Sequence, residues 1–575
     1  MISLTIDNQL VEAPEGATIL EAARLMGIQI PTLCALPEIH HTPGACRVCV
    51  VEVERSRTLV AACVFPIAKD MKVKTNSERV RKARKRVVEF LLSDHPRDCN
   101  ICQKHGSCEL QKVAEMVGVR EITVPVTDFT THRLDDSAPS LVRDASKCIN
   151  CLRCVAACSE IQSVHCLTPE GRGFGSKVVP AMGANLMDAA CVMCGQCSVV
   201  CPTGAIIEKD DSGKVWAALE DPSKHVVVQE APAIRVQLGE EFGLPVGTLV
   251  TGRMITALRR LGFDRVFDTN FTADLTIIEE GNELLKRVKE GGTLPMITSC
   301  SPGWIKFIEH FYPELLPNLS TCKSPQQMFG ALAKTYYAKL AGIDPKDIFV
   351  VSIMPCTAKK FEAARPEMNS SGYRDVDAVL TTRELGRMIK EAGIDFVNLP
   401  ESDYDAPMGQ YTGAGAIFGA TGGVMEAALR TVYAVVVGKN LPSLDITPVR
   451  GLEGVKEAAL EVGPLGEVRV AVAHGLGNAR QLMDRIVAGT ANYAFIEIMA
   501  CPGGCVGGGG QPLPASNEKR RKRAEALYRD DADVQEFRQS HENPAVKELY
   551  ASFLKEPLGH ESHKLLHTHY TNRGL

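Results

Sequence analysis

The sequence predicts a protein of several domains that belong to the α+β and α/β classes. Its 575 residues suffice for roughly three to five domains of ordinary size. Of its 21 cysteines, 16 lie before residue 202, and beyond that point apolar strand patterns alternate with helical ones. We therefore expect small cysteine-rich modules first, followed by a large α/β domain with mixed sheets.

Composition and charge narrow the class of protein further. Hydrophobic residues make up 45% and charged residues 23%, which is typical of a globular chain. The formal net charge of -5 argues against a nucleic acid as the main partner. No apolar stretch reaches membrane-spanning length, and the first residues lack the features of a secretory signal. We therefore expect a cytoplasmic protein, because clustered cysteines in a reducing compartment are more often metal ligands than disulfides.

A strand pair followed by a helix is predicted at the start of the chain. Ile2, Leu4 and Ile6 alternate with polar residues, and Thr18 with Glu21 forms a helix capping box. Four cysteines with the spacing C-x11-C-x2-C-x13-C lie on this module: Cys34, Cys46, Cys49 and Cys63. Four cysteine thiolates, with a long stretch of chain between some of them, suit a 2Fe-2S centre in a plant-ferredoxin-like fold. A zinc site is the alternative.

The next module combines a helix with a mixed ligand set. Helical periodicity runs from about residue 77 to 93, and a cysteine-dense turn follows it. The candidate ligands are one imidazole and three thiolates: His95, Cys99, Cys102 and Cys108. From the residues alone, His95 could equally be an ordinary residue at a helix end, since Pro96 follows it.

The third module is an internal duplication. Two runs repeat the spacing C-x2-C-x2-C-x3-C: Cys148, Cys151, Cys154 and Cys158, then Cys191, Cys194, Cys197 and Cys201. In such a pair, three thiolates of one loop bind one 4Fe-4S cubane and the fourth cysteine binds the other. We therefore expect two crossed ligand sets: Cys148, Cys151 and Cys154 with Cys201, and Cys191, Cys194 and Cys197 with Cys158. Two zinc sites are the alternative.

This order of modules resembles the N-terminal third of the large iron-only hydrogenases, and in part the large iron-sulfur subunit of respiratory NADH dehydrogenase. Three later segments closely resemble the signatures of the iron-only hydrogenase catalytic domain: TSCSPGW (298–304), MPCTAKKFE (354–362) and EIMACPGGCVGGGGQP (497–512). The resemblance covers essentially the whole chain. It implies a hydrogenase that catalyses the reversible reaction of two protons and two electrons to H2.

The resemblance also implies a division into domains. The expected domains are a 2Fe-2S domain over 1–80, a 4Fe-4S domain with one histidine ligand over 81–125, a two-cluster ferredoxin-like domain over 140–210, a catalytic domain over 211–515 and a helical C-terminal extension packed on the catalytic domain over 516–575.

The implied cofactors are one 2Fe-2S cluster, three accessory 4Fe-4S clusters and a six-iron H-cluster. In the H-cluster, a 4Fe-4S cubane shares one cysteine sulfur with a two-iron unit that carries CO, cyanide and a dithiolate amine. Cys505 matches the bridging ligand, and Cys356 and Cys501 match cubane ligands. The spacing of Cys501 and Cys505 suits one helical turn, and we expect the glycines 507–510 to let the backbone approach a bulky cluster.

The first catalytic segment departs from the usual family pattern of two adjacent cysteines, a proton-relay thiol followed by the fourth cubane ligand. Here the pair is Cys300 and Ser301. Either Ser301 binds the cubane and Cys300 relays protons, or Cys300 becomes the ligand and Ser301 or a water handles protons. The second arrangement is slightly favoured, because iron-sulfur sites prefer thiolate and Cys300 is the only thiol of the segment.

By the same matching, Lys359 hydrogen-bonds a cyanide, Pro232 and Gln326 lie near the other diatomic ligands, and three apolar residues line the pocket: Met354, Phe418 and Met499. The residues that match the proton path to the surface are Glu280, Glu283, Ser320 and Arg287. One helix face could carry three of them, because Glu280, Glu283 and Arg287 are spaced i, i+3 and i+7.

The expected partners are ferredoxin, or subunits that bind flavin and NAD(P), or both. The chain has no G-x-G-x-x-G fingerprint, so we expect any nicotinamide to bind to a partner. Two other functions compete with the hydrogenase reading. One is a non-catalytic electron-transfer or iron-sulfur assembly protein of the same ancestry, and the other is a hydrogen sensor.

Overall fold

The computed structural model describes residues 1–126 and 134–574, in two compact units. The first unit consists of Met1–Ile161, His165–Cys191 and Val200–Ile207. The second consists of Gln162–Val164, Val192–Val199 and Glu208–Leu575. Part of the segment expected to form the two-cluster domain thus packs with the second unit, and the predicted domain boundaries stay predictions.

The first unit begins with the predicted strand pair and helix. Ile2–Ile6 pairs antiparallel with Gln9–Ala13, and Leu4 and Ile6 point into a core. The helix Ile19–Leu25 starts at the expected capping box, in which Thr18 and Glu21 bond each other's backbone N–H groups. The five strands of this sheet are, in spatial order, Gln9–Ala13, Ile2–Ile6, Lys72–Lys74, Val50–Val53 and Val60–Ala61.

The remaining elements of the first unit are short. Its other α-helices are Glu78–Ser93, Glu109–Met116 and Arg153–Ala156, and a hairpin joins Leu167–Glu170 to Lys177–Pro180. A three-stranded sheet has the order Ile206–Glu208, Leu141–Asp144, Leu134–Asp135, and its first strand runs on into the second unit. Between the second and third modules, the chain therefore contains strand residues, and residues 127–133 of that stretch lie outside the described part.

The second unit contains a parallel sheet of four strands. Their spatial order is Arg265–Asp268, His225–Glu230, Ile348–Met354 and Ala378–Thr381. The two central strands contain the apolar runs that the sequence predicts as strands, and these runs are buried because helices cover both faces of such a sheet.

A second, mixed sheet lies in the same unit. Its order is Met296–Ile297, Phe495–Met499, Glu467–His474 and Val455–Glu461, and only the last pair is antiparallel. The α-helices of the unit are Ser212–Glu220, Thr251–Leu261, Thr269–Glu290, Pro302–Phe311, Pro325–Leu332, Ala338–Ala341, Ala358–Ala363, Thr382–Glu391, Gly413–Ala416, Gly423–Val437, Leu476–Val487, Asn517–Arg529, Pro544–Leu549 and His560–Leu566. The helix Gln196–Val200 begins in this unit and ends in the first.

The carboxyl ends of parallel strands are where open α/β sheets place their ligands. Pro232 follows the strand His225–Glu230, and Cys356 follows Ile348–Met354. Cys300 follows Met296–Ile297, and Cys501 follows Phe495–Met499. In both sheets of the second unit, predicted active-site residues therefore follow the carboxyl ends of parallel strands.

Membrane insertion through a helix finds no support in the described residues. Among residues 1–126 and 134–574, no helix combines the length and the apolar character needed to cross a bilayer.

Candidate active site and cluster sites

Four cysteines line one cavity of the second unit: Cys300, Cys356, Cys501 and Cys505. They come from three separate segments, which are the three that the sequence singled out. Ser301 lines the same cavity. Burial is the main reason why the pKa of Cys505 rises to about 12 and why that of Cys501 lies well above its usual value. These thiols must lose a proton to bind a metal, and thiolates gathered at one point are typical iron ligands.

The segment that carries Cys501 and Cys505 is a glycine-rich loop, so the expectation of one helical turn is wrong. Gly504 has a φ of +90°, and a side-chain Cβ there would lie 2.7 Å from the backbone nitrogen of Thr421. A Cβ on Gly508 would lie 2.1 Å from the carbonyl oxygen of Pro355. The glycines thus allow close packing of backbone on backbone, and the expectation that they also let the backbone approach a cluster stays a prediction.

The structure brings all six predicted pocket residues to the wall of this cavity: Pro232, Gln326, Met354, Lys359, Phe418 and Met499. Lys359 Nζ donates to the carbonyl oxygen of Cys300 (3.1 Å) and to Glu362 Oε2 (2.9 Å). Within the described residues, the buried Oε1 of Gln326 has no hydrogen-bond partner. Four thiols in an apolar cavity with one ammonium group and one unpartnered amide oxygen suit a cluster that carries small polar ligands.

Glu362 is the residue of this site that the sequence analysis missed. Its Oε2 accepts hydrogen bonds from Ser324 Oγ (2.9 Å), Gln326 Nε2 (3.0 Å) and Lys359 Nζ. One carboxylate therefore fixes the orientation of two cavity residues. Its spacing of i+3 from Lys359 on the helix Ala358–Ala363 was a signal that could have identified it.

Cys300 and Ser301 have different surroundings. Ser301 Oγ accepts a hydrogen bond from the backbone N–H of Ala500 (3.2 Å), the neighbour of Cys501. Burial raises the pKa of the Cys300 thiol well above its usual value, and the nearby Glu280 carboxylate raises it further. Cys300 is therefore close enough to Glu280 for the two groups to influence each other's charge, and Ser301 contacts the backbone beside Cys501.

The four residues of the predicted proton path form a connected group. Ser320 Oγ donates to Glu283 Oε2 (3.0 Å), and Arg287 Nη2 donates to Glu283 Oε1 (2.6 Å). Glu280 is 2% exposed, and burial, reinforced by Glu283, raises its pKa to about 8. The carboxyl group of Glu280 is therefore mostly protonated at neutral pH, as a proton donor must be. The helix Thr269–Glu290 carries Glu280, Glu283 and Arg287 on one face, as their spacing predicts.

The first unit gathers the four cysteines proposed for the 2Fe-2S centre. Cys34, Cys46, Cys49 and Cys63 are all buried, with at most 4% exposure. The Sγ atoms of Cys49 and Cys63 lie 3.4 Å apart, and hydrogen bonds link Cys34 to both Cys46 and Cys63. Four neighbouring buried cysteines suit a small iron-sulfur site, and binding of a cluster there stays a prediction.

His95 lies just beyond the helix Glu78–Ser93 and is buried. Its Nδ1 is enclosed without a hydrogen-bond partner in the described part of the chain. Burial lowers the pKa of the imidazole to about 4, so the ring is neutral and one nitrogen is able to bind a metal. Cys99 and Cys102 lie close enough to Cys108 to raise the pKa of its thiol, after the larger effect of burial. An unpartnered buried nitrogen favours ligation over an ordinary helix-end role.

We expect His95→Ala to change one 4Fe-4S signal in low-temperature electron paramagnetic resonance, because the imidazole is the predicted fourth ligand of that cluster. His105→Ala is the matched control, since His105 is exposed and lies in the same turn. An identical set of signals in both variants and the unsubstituted protein would return His95 to the helix-end interpretation.

The structure brings together the cysteines of only one of the two crossed ligand sets within a single unit. Cys148, Cys151, Cys154 and Cys201 line one cavity of the first unit, as the crossed arrangement predicts. Burial is the largest cause of the raised thiol pKa values of Cys148, Cys151 and Cys154. Of the second set, Cys158 and Cys191 belong to the first unit, whereas Cys194 and Cys197 belong to the second. The grouping of that second set stays a prediction.

Five protein families match successive parts of the chain. They are "2Fe-2S iron-sulfur cluster binding domain" (1–78), "NADH-ubiquinone oxidoreductase-G iron-sulfur binding region" (84–123), "4Fe-4S binding domain" (186–207), "Iron only hydrogenase large subunit, C-terminal domain" (224–509) and "Iron hydrogenase small subunit" (517–573). The order of these families agrees with the order of modules that the sequence predicts.

Two similar proteins span the full chain. The NADP-reducing hydrogenase subunit HndD of Solidesulfovibrio fructosivorans is 52% identical over 100% of this chain and 99% of its own length. Iron hydrogenase 1 of Clostridium pasteurianum is 42% identical over 99% of this chain and 100% of its own length. A more distant relative, the cytosolic iron-sulfur assembly component 3 of Rattus norvegicus, is 31% identical over 70% of this chain and 86% of its own length.

A solved structure supports the same assignment. A variant of the [FeFe]-hydrogenase HydA1 of Chlamydomonas reinhardtii is 46% identical, covers 64% of this chain and 100% of its own, and superimposes with a TM-score of 0.58. Full-length similarity to named hydrogenases agrees with the four-cysteine cavity described above. The chain belongs to the iron-only hydrogenase family.

Proposed function

We propose that this protein is a hydrogenase that catalyses the reversible conversion of two protons and two electrons to H2. One observation carries the proposal: the cavity that four cysteines line lies beside a buried series of proton-carrying side chains. That series runs from Cys300 through Glu280, Ser320 and Glu283 to Arg287.

The cavity residues divide the work of holding the active-site cluster. Cys356, Cys501 and Cys505 would bind iron, with Cys505 as the bridge between the cubane and the two-iron unit. When bound, this H-cluster supplies the redox chemistry of hydrogen and a basic site for protons. Lys359, held in place by Glu362, would donate a hydrogen bond to a cyanide ligand. Met354, Met499 and Phe418 exclude water from the cavity.

Proton transfer follows from the contacts of the chain's own residues. Glu280 is buried and neutral near pH 7, so it can give a proton toward Cys300 and regain one from the direction of Ser320. Glu283 is paired with Arg287, which fixes the outer end of the series. Of the two roles left open by the sequence, these surroundings favour Cys300 as the relay thiol and Ser301 at the fourth ligand position.

The N-terminal modules would supply electrons. We propose one 2Fe-2S cluster and three accessory 4Fe-4S clusters, held by the ligand sets described above. Small redox proteins or flavin- and NAD(P)-binding subunits would deliver the electrons, since one full-length relative is named as a subunit of an NADP-reducing hydrogenase. A cytoplasmic location is part of the proposal and rests on the 21 cysteines, which suit a reducing compartment.

The second candidate is a non-catalytic iron-sulfur assembly protein, because such proteins are 31% identical over part of the chain. To separate the two functions, the protein is produced with and without the maturation system that builds two-iron units. We expect only the matured protein to show infrared bands of CO and cyanide and to release H2 from reduced methyl viologen. Bands without H2, or neither, would refute the hydrogenase proposal.

A further inference from the structure

A short segment before residue 200 packs on the active-site loop within the second unit. Thr357 Oγ1 donates to the carbonyl oxygen of Met193 (2.8 Å). A Cβ on Gly509 would lie 2.5 Å from the carbonyl oxygen of Cys194, so the two backbones touch with no room for a side chain. The residues Val192–Val199 are therefore fixed directly against the loop that carries Cys501 and Cys505.

Gln196 is a residue of this segment whose side chain contacts the active-site loop. It is 2% exposed, and its Nε2 donates to the carbonyl oxygen of Gly507 (3.0 Å). The side-chain amide and the backbone N–H of Gly509 are also hydrogen-bond donors within reach of the Cys501 sulfur. The amide group of Gln196 thus lies beside both a loop carbonyl and a candidate cluster ligand.

Gln196 is adjacent in sequence to the ligands of one predicted cluster and adjacent in space to a ligand of another. It lies between Cys194 and Cys197, two predicted ligands of an accessory cubane. Its side chain, in contrast, contacts Cys501, a proposed ligand of the active-site cubane. A single residue therefore belongs to the binding loop of one cluster and to the hydrogen-bond shell of another.

We propose that Gln196 is a positioning residue that raises the reduction potential of the active-site cubane through its hydrogen bond to the Cys501 sulfur. The inference rests on the proposed function, since it assumes that the cubane is bound there. A donor to a ligating sulfur stabilises the reduced cluster, which carries one more negative charge, more than the oxidised one. The bond therefore favours transfer of an electron from the accessory cubane to the active site.

Gln237 provides a matched control for a purely structural role. It is fully buried, and its Nε2 donates to the carbonyl oxygen of Val506 (3.4 Å). Gln196 and Gln237 thus bind neighbouring carbonyl groups of one loop, but the partner of the Gln237 amide is the loop carbonyl and not a cysteine sulfur. A loss of loop packing alone should affect both variants alike.

The test is a redox titration of the matured protein, followed through the infrared bands of CO and cyanide, which shift when the cubane is reduced. In Gln196→Leu we expect the ratio of reduced to oxidised cubane at a fixed potential to fall about tenfold, which corresponds to a midpoint about 59 mV lower. Gln237→Leu should leave the midpoint unchanged.

Gln196→Met, which keeps the length of the side chain but donates no hydrogen bond, should shift the midpoint in the same direction as Gln196→Leu. It serves as the test if the leucine variant does not load its cluster. An unchanged midpoint in the Gln196 variants, or equal shifts in Gln196→Leu and Gln237→Leu, would overturn the inference. Absence of the bands from the unsubstituted protein would instead refute the proposed function.

Discussion

Cys300→Ala is expected to lower the rate of H2 formation by about 10² to 10⁴, the usual contribution of a positioned proton donor, while the infrared bands of CO and cyanide remain. The reason is that Cys300 lies toward Glu280, whereas Ser301 contacts the backbone beside Cys501. Removing the thiol should therefore interrupt proton delivery and leave the cluster ligands in place. The measurement is H2 release from reduced methyl viologen, normalised to the intensity of the bands.

Ser301→Ala gives the reciprocal result if this assignment is right. Loss of the hydroxyl at the fourth ligand position should weaken the bands, because a cubane held by three protein ligands retains its two-iron partner poorly. Ser299→Ala is the control, since Ser299 Oγ donates to the carbonyl oxygen of Cys322 (2.6 Å) within the same segment. Lost bands in Cys300→Ala with intact bands in Ser301→Ala would make Cys300 the cubane ligand. Fully active variants at both positions would exclude this segment from the active site.

Much of the fold could be predicted because its signals are local. The capping box of Thr18 and Glu21 fixes the start of the first helix, and the apolar run within His225–Glu230 identifies a buried strand. The cysteine ligand sets could also be predicted, because iron-sulfur ligation depends on the spacing of cysteines along the chain. For example, Cys201 of the second repeat lines the same cavity as Cys148, Cys151 and Cys154 of the first repeat, as the spacing predicts.

What the sequence could not predict depends on contacts between distant segments. The loop from Cys501 to Gly508 packs against the backbones of Pro355 and Thr421, and no local sequence pattern predicts such neighbours. The hydrogen bond from Gln196 to Gly507 joins residues 311 positions apart. The roles of Cys300 and Ser301 likewise depend on which of them is near Glu280. Because the two residues are adjacent in the chain, their spacing from other motifs does not show which is the relay and which is the ligand.

The burial of Glu280 has consequences for both activity and stability. Its pKa is raised from 4.5 to about 8 because the site is desolvated and Glu283 lies near. The unfolded chain releases this proton near pH 4.5, whereas the folded protein keeps it until about pH 8. The folded state therefore binds more protons in this interval, so the contribution of Glu280 to stability falls as the pH rises through it and remains unfavourable above it.

Glu280→Gln is expected to keep the cluster bands but to lower H2 turnover by about 10² to 10⁴, because an amide cannot release and regain a proton. The same variant should lose less stability than the unsubstituted protein when the pH rises from 5 to 8, since the amide stays neutral throughout.

Glu279→Gln is the matched control on the same helix. Glu279 is fully buried, and its charged carboxylate accepts hydrogen bonds from Tyr550 and from the backbone N–H of Leu558 (2.9 Å). A hydrogen bond with His567, followed by those from Tyr550 and Leu558, lowers its pKa despite burial. Its amide variant should therefore lose stability at pH 7 but keep its turnover per loaded cluster within about threefold. Turnover of Glu280→Gln equal to that of Glu279→Gln would show that protons reach the cavity by another route, because only Glu280 adjoins both Cys300 and Ser320.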